Sequence, residues 1–146
     1  MANEMPPSSD FSGLSRAVIS YSEAFTRLVA KAKLAALADA DWAEIEGLVN
    51  TAAFVREGVF LGPQAEVIDW PTYRGYISQY GGYTNWEGTL RQITEVPGRV
   101  ILELEERNTR RGVIDVSNTV TIYEFDDAGL LRHLDVYVMP RGEKPE

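Results

Sequence analysis

The chain has 146 residues, of which 45% are hydrophobic and 25% are charged, and its formal net charge is −8. These values fit one globular domain with a sizeable core, and the negative charge argues against a nucleic-acid-binding protein, which needs a clustered basic face. The chain contains no cysteine, so disulfides, thiolate nucleophiles and cysteine-based metal sites are excluded.

The sequence carries no signal for export or for membrane insertion. Residues 1–13 lack the basic-then-apolar pattern of a signal peptide, and no apolar run approaches the roughly 20 residues of a membrane helix. We therefore expect a cytoplasmic protein that binds neither membrane nor nucleic acid. We expect residues 1–13 to form a flexible arm, residues 14–139 the folded domain, and residues 140–146 a polar tail.

Helical patterns dominate the first third of the chain. Apolar residues recur at steps of three and four between Leu14 and Leu37, which predicts a long amphipathic helix. Asp41 is the expected N-cap of a second helix, whose buried face begins at Trp42. Residues 51–59 then favour an extended strand.

A third helix and a run of strands fill the rest of the chain. Asp69 is the expected N-cap of the third helix, with Pro71 in its first turn. Four strands are predicted after it, at residues 83–95, 99–108, 113–125 and 130–139. Helices followed by strands that are joined through short turns indicate an α+β fold with an antiparallel sheet, which can curve around the helices as a cone.

Three segments in this order carry a resemblance to a known family. They are AALADADWAEIEGLVNTAAFVREG at 35–58, the helix that begins at Asp69, and IYEFDDAGLLRHLDVYV at 122–138. Together they resemble the NTF2-like superfamily, in particular its SnoaL-like and ketosteroid-isomerase-like members. The resemblance implies an NTF2-like cone, in which three N-terminal helices pack in a strongly curved antiparallel (mixed) sheet, and it implies a homodimer.

The resemblance also implies a position for a catalytic carboxylate. An ungapped match of the first segment places Glu57 at the general-base position of ketosteroid isomerases, where the strand opens into the ligand pocket. The isomerase phenol that donates to the substrate oxygen falls on Lys33, and its acidic partner falls on Thr121. The resemblance therefore implies the base without its usual oxyanion donors. The other interpretation of Glu57 is a salt bridge at the pocket rim.

Strand alternation predicts which side chains line the pocket. Apolar residues of the second and fourth long strands are expected to point inward, whereas His133 and Asp135 are expected to point outward. In the third long strand the family match places the threonines inward, although composition alone would bury Val120 and Ile122. The expected ligand-binding residues are Leu28, Tyr73, Tyr76, Leu102, Leu104, Thr119, Leu134 and Val136.

The predicted function is proton transfer on an apolar, oxygen-bearing small molecule. The candidate catalytic residues are Glu57, Glu106, Thr121 and Tyr123. Glu106 can instead be a strand-end residue that reaches water, and the tyrosines can instead be an aromatic core. No metal or organic cofactor is expected. Two alternatives remain open: a non-catalytic binding or dimeric assembly module, and a pocket filled by its own side chains.

Overall fold

The structure is a computed structural model that describes residues 5–82 and 84–146. Its helices are α1 (Gly13–Ala32), α2 (Ala43–Glu46) and α3 (Trp70–Gly81), with short 3₁₀ turns at Ser8–Asp10 and Asp39–Trp42. Its strands are β1 (Val55–Gly58), β2 (Glu66–Ile68), β3 (Asn85–Val96), β4 (Arg99–Arg110), β5 (Val113–Phe125) and β6 (Leu131–Pro145).

The six strands form one mixed sheet in the order β2-β1-β6-β5-β4-β3. Neighbouring strands are antiparallel, except that β1 runs parallel to β6. The register shifts once between β3 and β4, at Arg91 of β3, and twice between β5 and β6, at Arg132 and Arg141 of β6, and such bulges increase local bending and twist. The α+β class and the curved sheet with three helices confirm the predicted fold.

The helices pack on the concave side of the sheet and build the core there. The stripe of α1 is buried as its periodicity predicts, with Val18, Ile19 and Leu28 all at the core. These residues meet Ile77 of α3 and Leu102 of β4 in the same apolar cluster. None of the helices in the described ranges is long and apolar enough to cross a membrane.

The prediction for the second helix is wrong in detail. Asp41 lies inside a 3₁₀ turn, and α2 that follows has only four residues. The Asp41 carboxylate accepts the Ala38 N–H at 2.9 Å and the Lys31 ammonium at 2.7 Å. Because Ala38 is the N-cap of this 3₁₀ turn, the Asp41 side chain caps the start of the turn from within it and is not the N-cap of α2.

The predicted start of α3 agrees with the structure, whereas the predicted end of β6 does not. The Asp69 carboxylate accepts the Thr72 N–H at 3.0 Å, which confirms the predicted N-cap. Strand β6 continues to Pro145, six residues past its predicted end, because the start of β5 pairs with it: Val113 lies opposite Pro145. Most of the predicted polar tail is therefore strand.

The N-terminal segment lies against the core from Met5 onward. Met5 and Phe11 are partly buried apolar residues in contact with the core cluster. Residues 1–4 of the predicted arm lie outside the described residues, and so does Tyr83, the predicted first residue of the strand at 83–95.

Candidate active site

A cavity of about 540 Å³ lies between the helices and the concave face of the sheet. This volume is typical of a small-molecule site. Alternate residues of β4, β5 and β6 form its sheet wall, and α1, α3 and the segment after β1 complete it. Period-two alternation on three adjacent strands thus delivers one continuous lining.

The cross-strand register arranges the sheet wall as successive rungs. The inner rung holds Arg56, Leu134 and Tyr123, which lie level with one another on β1, β6 and β5. An outer rung pairs Ser117 with Glu106. Two rungs separate these ends, and they hold Thr121 and Leu102, then Thr119 and Leu104. The cavity therefore has a guanidinium and a phenol at one end and a carboxylate toward the other.

Three buried tyrosines gather at the inner end. The Tyr21 hydroxyl donates to the Tyr73 oxygen at 3.3 Å, and the Tyr21 and Tyr123 rings meet edge to face at 6.0 Å. Burial, reinforced by Tyr73, raises the pKa of both Tyr21 and Tyr123 well above the ordinary phenol value. These two phenols are consequently protonated at neutral pH and can act as hydrogen-bond donors.

Arg56 is the charged group of the inner end, and its side chain is only 5% exposed. Its Nη2 donates to the Val59 carbonyl at 3.0 Å and its Nη1 to the Gly58 carbonyl at 3.4 Å. The guanidinium carbon lies 4.8 Å from the centre of the Phe60 ring and 5.4 Å from that of Tyr73. Its Nε is buried without a hydrogen-bond partner in the described part of the chain.

Glu106 is a carboxylate of the sheet wall, and it accepts a hydrogen bond from the Trp86 indole N–H. Burial is the largest cause of the raised Tyr123 pKa, and Tyr73 is the second. The negative charge of Glu106 raises this pKa further, so the two groups interact electrostatically across the cavity. Between them lie Thr121 and Thr119, both buried. The Thr119 hydroxyl has no partner within residues 5–82 and 84–146.

The structure places nine of the twelve predicted site residues in the cavity lining. They are Glu106, Thr121, Tyr123, Tyr73, Leu102, Leu104, Thr119, Leu134 and Val136. The four lining residues Ser117, Thr119, Thr121 and Tyr123 settle the inner face of β5 in favour of the family match. Their neighbours Val120 and Ile122 therefore lie on the outer face.

Glu57 is the main correction, because it lies outside the cavity and is exposed. Adjacent strand residues point to opposite faces, and on β1 the inner position belongs to Arg56. The Glu57 carboxylate lies 3.6 Å from His133 Nε2 on the outer face. This arrangement is closer to the alternative interpretation of Glu57 as a salt-bridge residue, although its partner is a histidine rather than an arginine.

Two predicted ligand-binding residues also lie outside the cavity. Leu28 is buried in the apolar core between helix and sheet instead of lining the open space. Tyr76 is half-buried beside Phe60, and its hydroxyl donates to the Glu66 carboxylate at 2.8 Å. Helical spacing placed both on the apolar side of their helices but could not separate core from cavity.

The outer face carries a second cluster of polar groups. His133 Nε2 lies 3.0 Å from the Asp135 carboxylate, and the ligand atoms of Glu57, His133 and Asp135 all lie within 4.8 Å of one another. This composition is one that divalent metals accept. The predicted outward direction of His133 and Asp135 agrees with this placement.

Arg56 and Tyr21 are the site residues that the sequence analysis missed. For Arg56 the sequence did contain a signal. Phe54, the aromatic residue directly before β1, is buried, so alternation from it brings Arg56 to the inner face and Glu57 to the outer face. Tyr21 lies on the predicted apolar stripe of α1, where nothing distinguishes a core tyrosine from one that lines a cavity.

Comparison with known proteins was informative for structures only. No protein-family model matches the sequence, and no curated protein sequence matches it. An NTF2-like protein of unknown function from Burkholderia pseudomallei is 12% identical with a TM-score of 0.66, over 88% of this chain and 92% of that one. IdmH of Streptomyces antibioticus, a candidate polyketide cyclase, is 13% identical with a TM-score of 0.65, over 87% and 92%.

A ketosteroid isomerase is also among the similar structures. The Δ5-3-ketosteroid isomerase of a Mycobacterium species is 18% identical with a TM-score of 0.59, over 85% of this chain and 98% of that one. All three structures match nearly end to end, and each has low sequence identity. Taken with the helix-filled curved sheet and its cavity, this similarity shows that the chain has the NTF2-like fold.

Proposed function

We propose that the protein is a SnoaL-like or ketosteroid-isomerase-like enzyme that moves a proton on an apolar, oxygen-bearing small molecule held in the cavity. The observation that carries the proposal is that one largely apolar lining holds both a carboxylate, Glu106, and a buried phenol, Tyr123. A carboxylate and a protonated phenol are the two groups that such a reaction requires.

The chemistry follows from the two groups. Glu106 would accept a proton from a carbon next to a carbonyl, and the electron pair of the broken C–H bond would move onto the carbonyl oxygen. Tyr123, with Thr121 beside it on the inner face, would donate hydrogen bonds to the oxygen as its negative charge grows. A positioned general base typically contributes about 10²–10⁴-fold in rate.

The similar structures support the reaction class without fixing the reaction. One is named as a ketosteroid isomerase and another as a candidate polyketide cyclase. This chain has its own donor set, because Lys33, at the position of the isomerase phenol, bonds Asn85 and does not line the cavity. The proposed donor is therefore Tyr123 on β5 rather than a residue of α1.

A hydrogen–deuterium exchange experiment tests the proposal without knowledge of the substrate. The probe is 2-acetylnaphthalene, an apolar methyl ketone, incubated with the protein in D₂O, and NMR follows deuterium entry at the methyl carbon. The wild type should accelerate exchange, and Glu106→Gln should lower that acceleration by about 10²-fold or more. Glu103→Gln, on the same strand outside the lining, is the matched control and should exchange like the wild type.

The alternative is a non-catalytic binding module of the same fold. The absence of an isomerase-type donor at Lys33 favours this alternative. If the ketone binds, as seen by a change in Trp86 fluorescence, but exchange stays at the protein-free rate, the enzyme proposal is wrong and the binding module remains. Fold alone cannot decide between the two.

We also propose that the protein is a homodimer that packs through the outer face of the sheet. Tyr137 and Met139 of β6 are 59% and 53% exposed there, and Val120 lies opposite Tyr137 on β5. A second copy would cover this apolar row. Light scattering should give twice the 16.3 kDa chain mass, and Tyr137→Lys should shift the mass toward the monomer. A monomeric wild type at micromolar concentration would contradict the proposal.

A further inference from the structure

We propose that the molecule bound in the cavity is a carboxylic acid in its ionised form, and that its carboxylate binds the guanidinium of Arg56. This inference rests on the proposed function, since it names the class of molecule that the same cavity takes. It is carried by Arg56 and Thr119, which are buried polar side chains of the lining with unpartnered atoms.

The charge on Arg56 has no counter-ion in the part of the chain that the structure describes. The side chain is 5% exposed, and its hydrogen bonds go to the carbonyls of Gly58 and Val59 only. A guanidinium removed from water is costly unless an anion compensates it. An anionic ligand would supply the missing partner.

Arg107 provides the internal comparison, because it is the other buried arginine among the described residues, at 4% exposed. Its Nη1 lies 2.8 Å from the Glu105 carboxylate, so Arg107 has a counter-ion within the protein. Arg107 lines a separate pocket, whereas Arg56 lines the cavity that holds Glu106 and Tyr123. The buried arginine without a carboxylate is thus the one that shares a cavity with the proposed acid–base groups.

The surroundings of Arg56 leave one edge of the guanidinium for a ligand. The Phe60 and Tyr73 rings lie within 4.8 and 5.4 Å of its carbon, and the two carbonyl bonds use Nη1 and Nη2. Nε remains unpartnered, and a carboxylate that reached it together with the neighbouring Nη2 would accept two parallel hydrogen bonds.

Two further donor residues, Thr119 and Tyr73, belong to the lining of the same cavity. The Thr119 hydroxyl is buried without a partner, and the Tyr73 hydroxyl, which accepts from Tyr21, keeps its own proton to donate. The acidic groups of the lining, Glu106 and Asp115, lie on rungs away from Arg56, and Arg110 lies at that end as well. A carboxylate ligand would therefore be oriented with its charge toward Arg56 and its apolar body along the leucine wall.

A matched pair of probes tests this inference: 2-naphthoate, which carries the carboxylate, and 2-naphthamide, its uncharged analogue of nearly the same shape. Isothermal titration calorimetry at pH 7.5 compares their dissociation constants. The wild type should bind naphthoate about 10- to 100-fold more tightly, the range expected for charge-assisted hydrogen bonds. Arg56→Met should remove this preference, and Arg56→Lys should keep part of it.

Arg107→Met is the control for the loss of a buried arginine, and it should retain the wild-type preference. Equal binding of the two probes by the wild type would overturn the inference while leaving the proposed function intact. A full preference in Arg56→Met would overturn it too, because the charge would then be recognised elsewhere. If neither probe binds the wild type, the inference fails, while the ketone exchange experiment still decides the proposed function. Should Arg56→Met not fold, the comparison of wild type with Arg56→Lys decides.

Discussion

Arg56 and Glu57 are neighbours on β1, and they have opposite environments. Arg56 is buried in the cavity wall beside aromatic rings and lacks a counter-ion in the described structure. Glu57 is exposed on the outer face, where His133 and Asp135 surround it. A step of one residue along the strand thus separates a group that lines the cavity from a group that lies on the protein surface.

This difference shows that the buried polar groups of the site lie on the inner face of the sheet. The inner face combines apolar walls with Arg56, three phenols and two threonines, all shielded from water. Electrostatic interactions there are stronger than at the surface, since the local dielectric is low. On the outer face the same types of charge are solvated and contribute little. The inner face is therefore where substitutions should have large effects.

Gly58 fixes where β1 ends, and its substitution should have the largest effect. Its φ is +139°, and a Cβ at this position would lie 2.5 Å from the Val136 carbonyl oxygen. Gly58→Ala should lower the free energy of unfolding by about 2–4 kcal/mol, through backbone strain and overpacking. Gly62→Ala, where a Cβ meets nothing within 4 Å, is the control and should stay within about 1 kcal/mol of the wild type. Urea unfolding measures both, and equal stabilities would contradict the role given to Gly58.

The burial of the Tyr123 phenol should make the stability of the protein depend on alkaline pH. Burial raises the pKa of Tyr123 above its unfolded value of about 10, so above pH 10 the unfolded chain loses a proton that the folded protein keeps. The stability that this phenol contributes is present below pH 10 and is lost as pH rises toward the folded pKa, by about 1.4 kcal/mol per pH unit.

The variant Tyr123→Phe removes that titration. Its free energy of unfolding should therefore fall less steeply than that of the wild type between pH 9.5 and 11, as measured by urea unfolding at each pH. A parallel decline in the wild type and Tyr123→Phe would mean that the phenol is hydrated in the folded protein.

Local sequence signals predicted the elements that depend on local chemistry. The range of β5 was predicted residue for residue, and Asp69 caps α3 through a bond to the third residue after it. In both cases the deciding interactions lie within a few positions, or repeat along a long strand. Such signals do not require knowledge of the distant chain.

The sequence did not predict equally well which side chains of β1 point toward the cavity. A four-residue strand offers two alternations at most, and its faces are set by pairing with β6, which is distant in sequence. The match that selected Glu57 compared residue types, and it was offset by one position from the residue that faces the cavity. The extension of β6 past Met139 has the same cause, because its polar sequence becomes strand only through pairing with β5.

Substitution of Glu57 should have the smallest effect. It therefore tests directly whether the inner and outer faces of β1 have different roles. Glu57→Gln should leave naphthoate affinity and ketone exchange unchanged, and should alter stability by no more than about 0.5 kcal/mol, because the carboxylate is exposed and lies outside the cavity. The same conservative change at Glu106 should abolish most of the exchange. If Glu57→Gln instead slowed exchange as strongly as Glu106→Gln, the outer carboxylate would have to reach the substrate. The strand would then have to turn its faces over in the bound state, and the separation between Arg56 and Glu57 would be a property of the empty cavity alone.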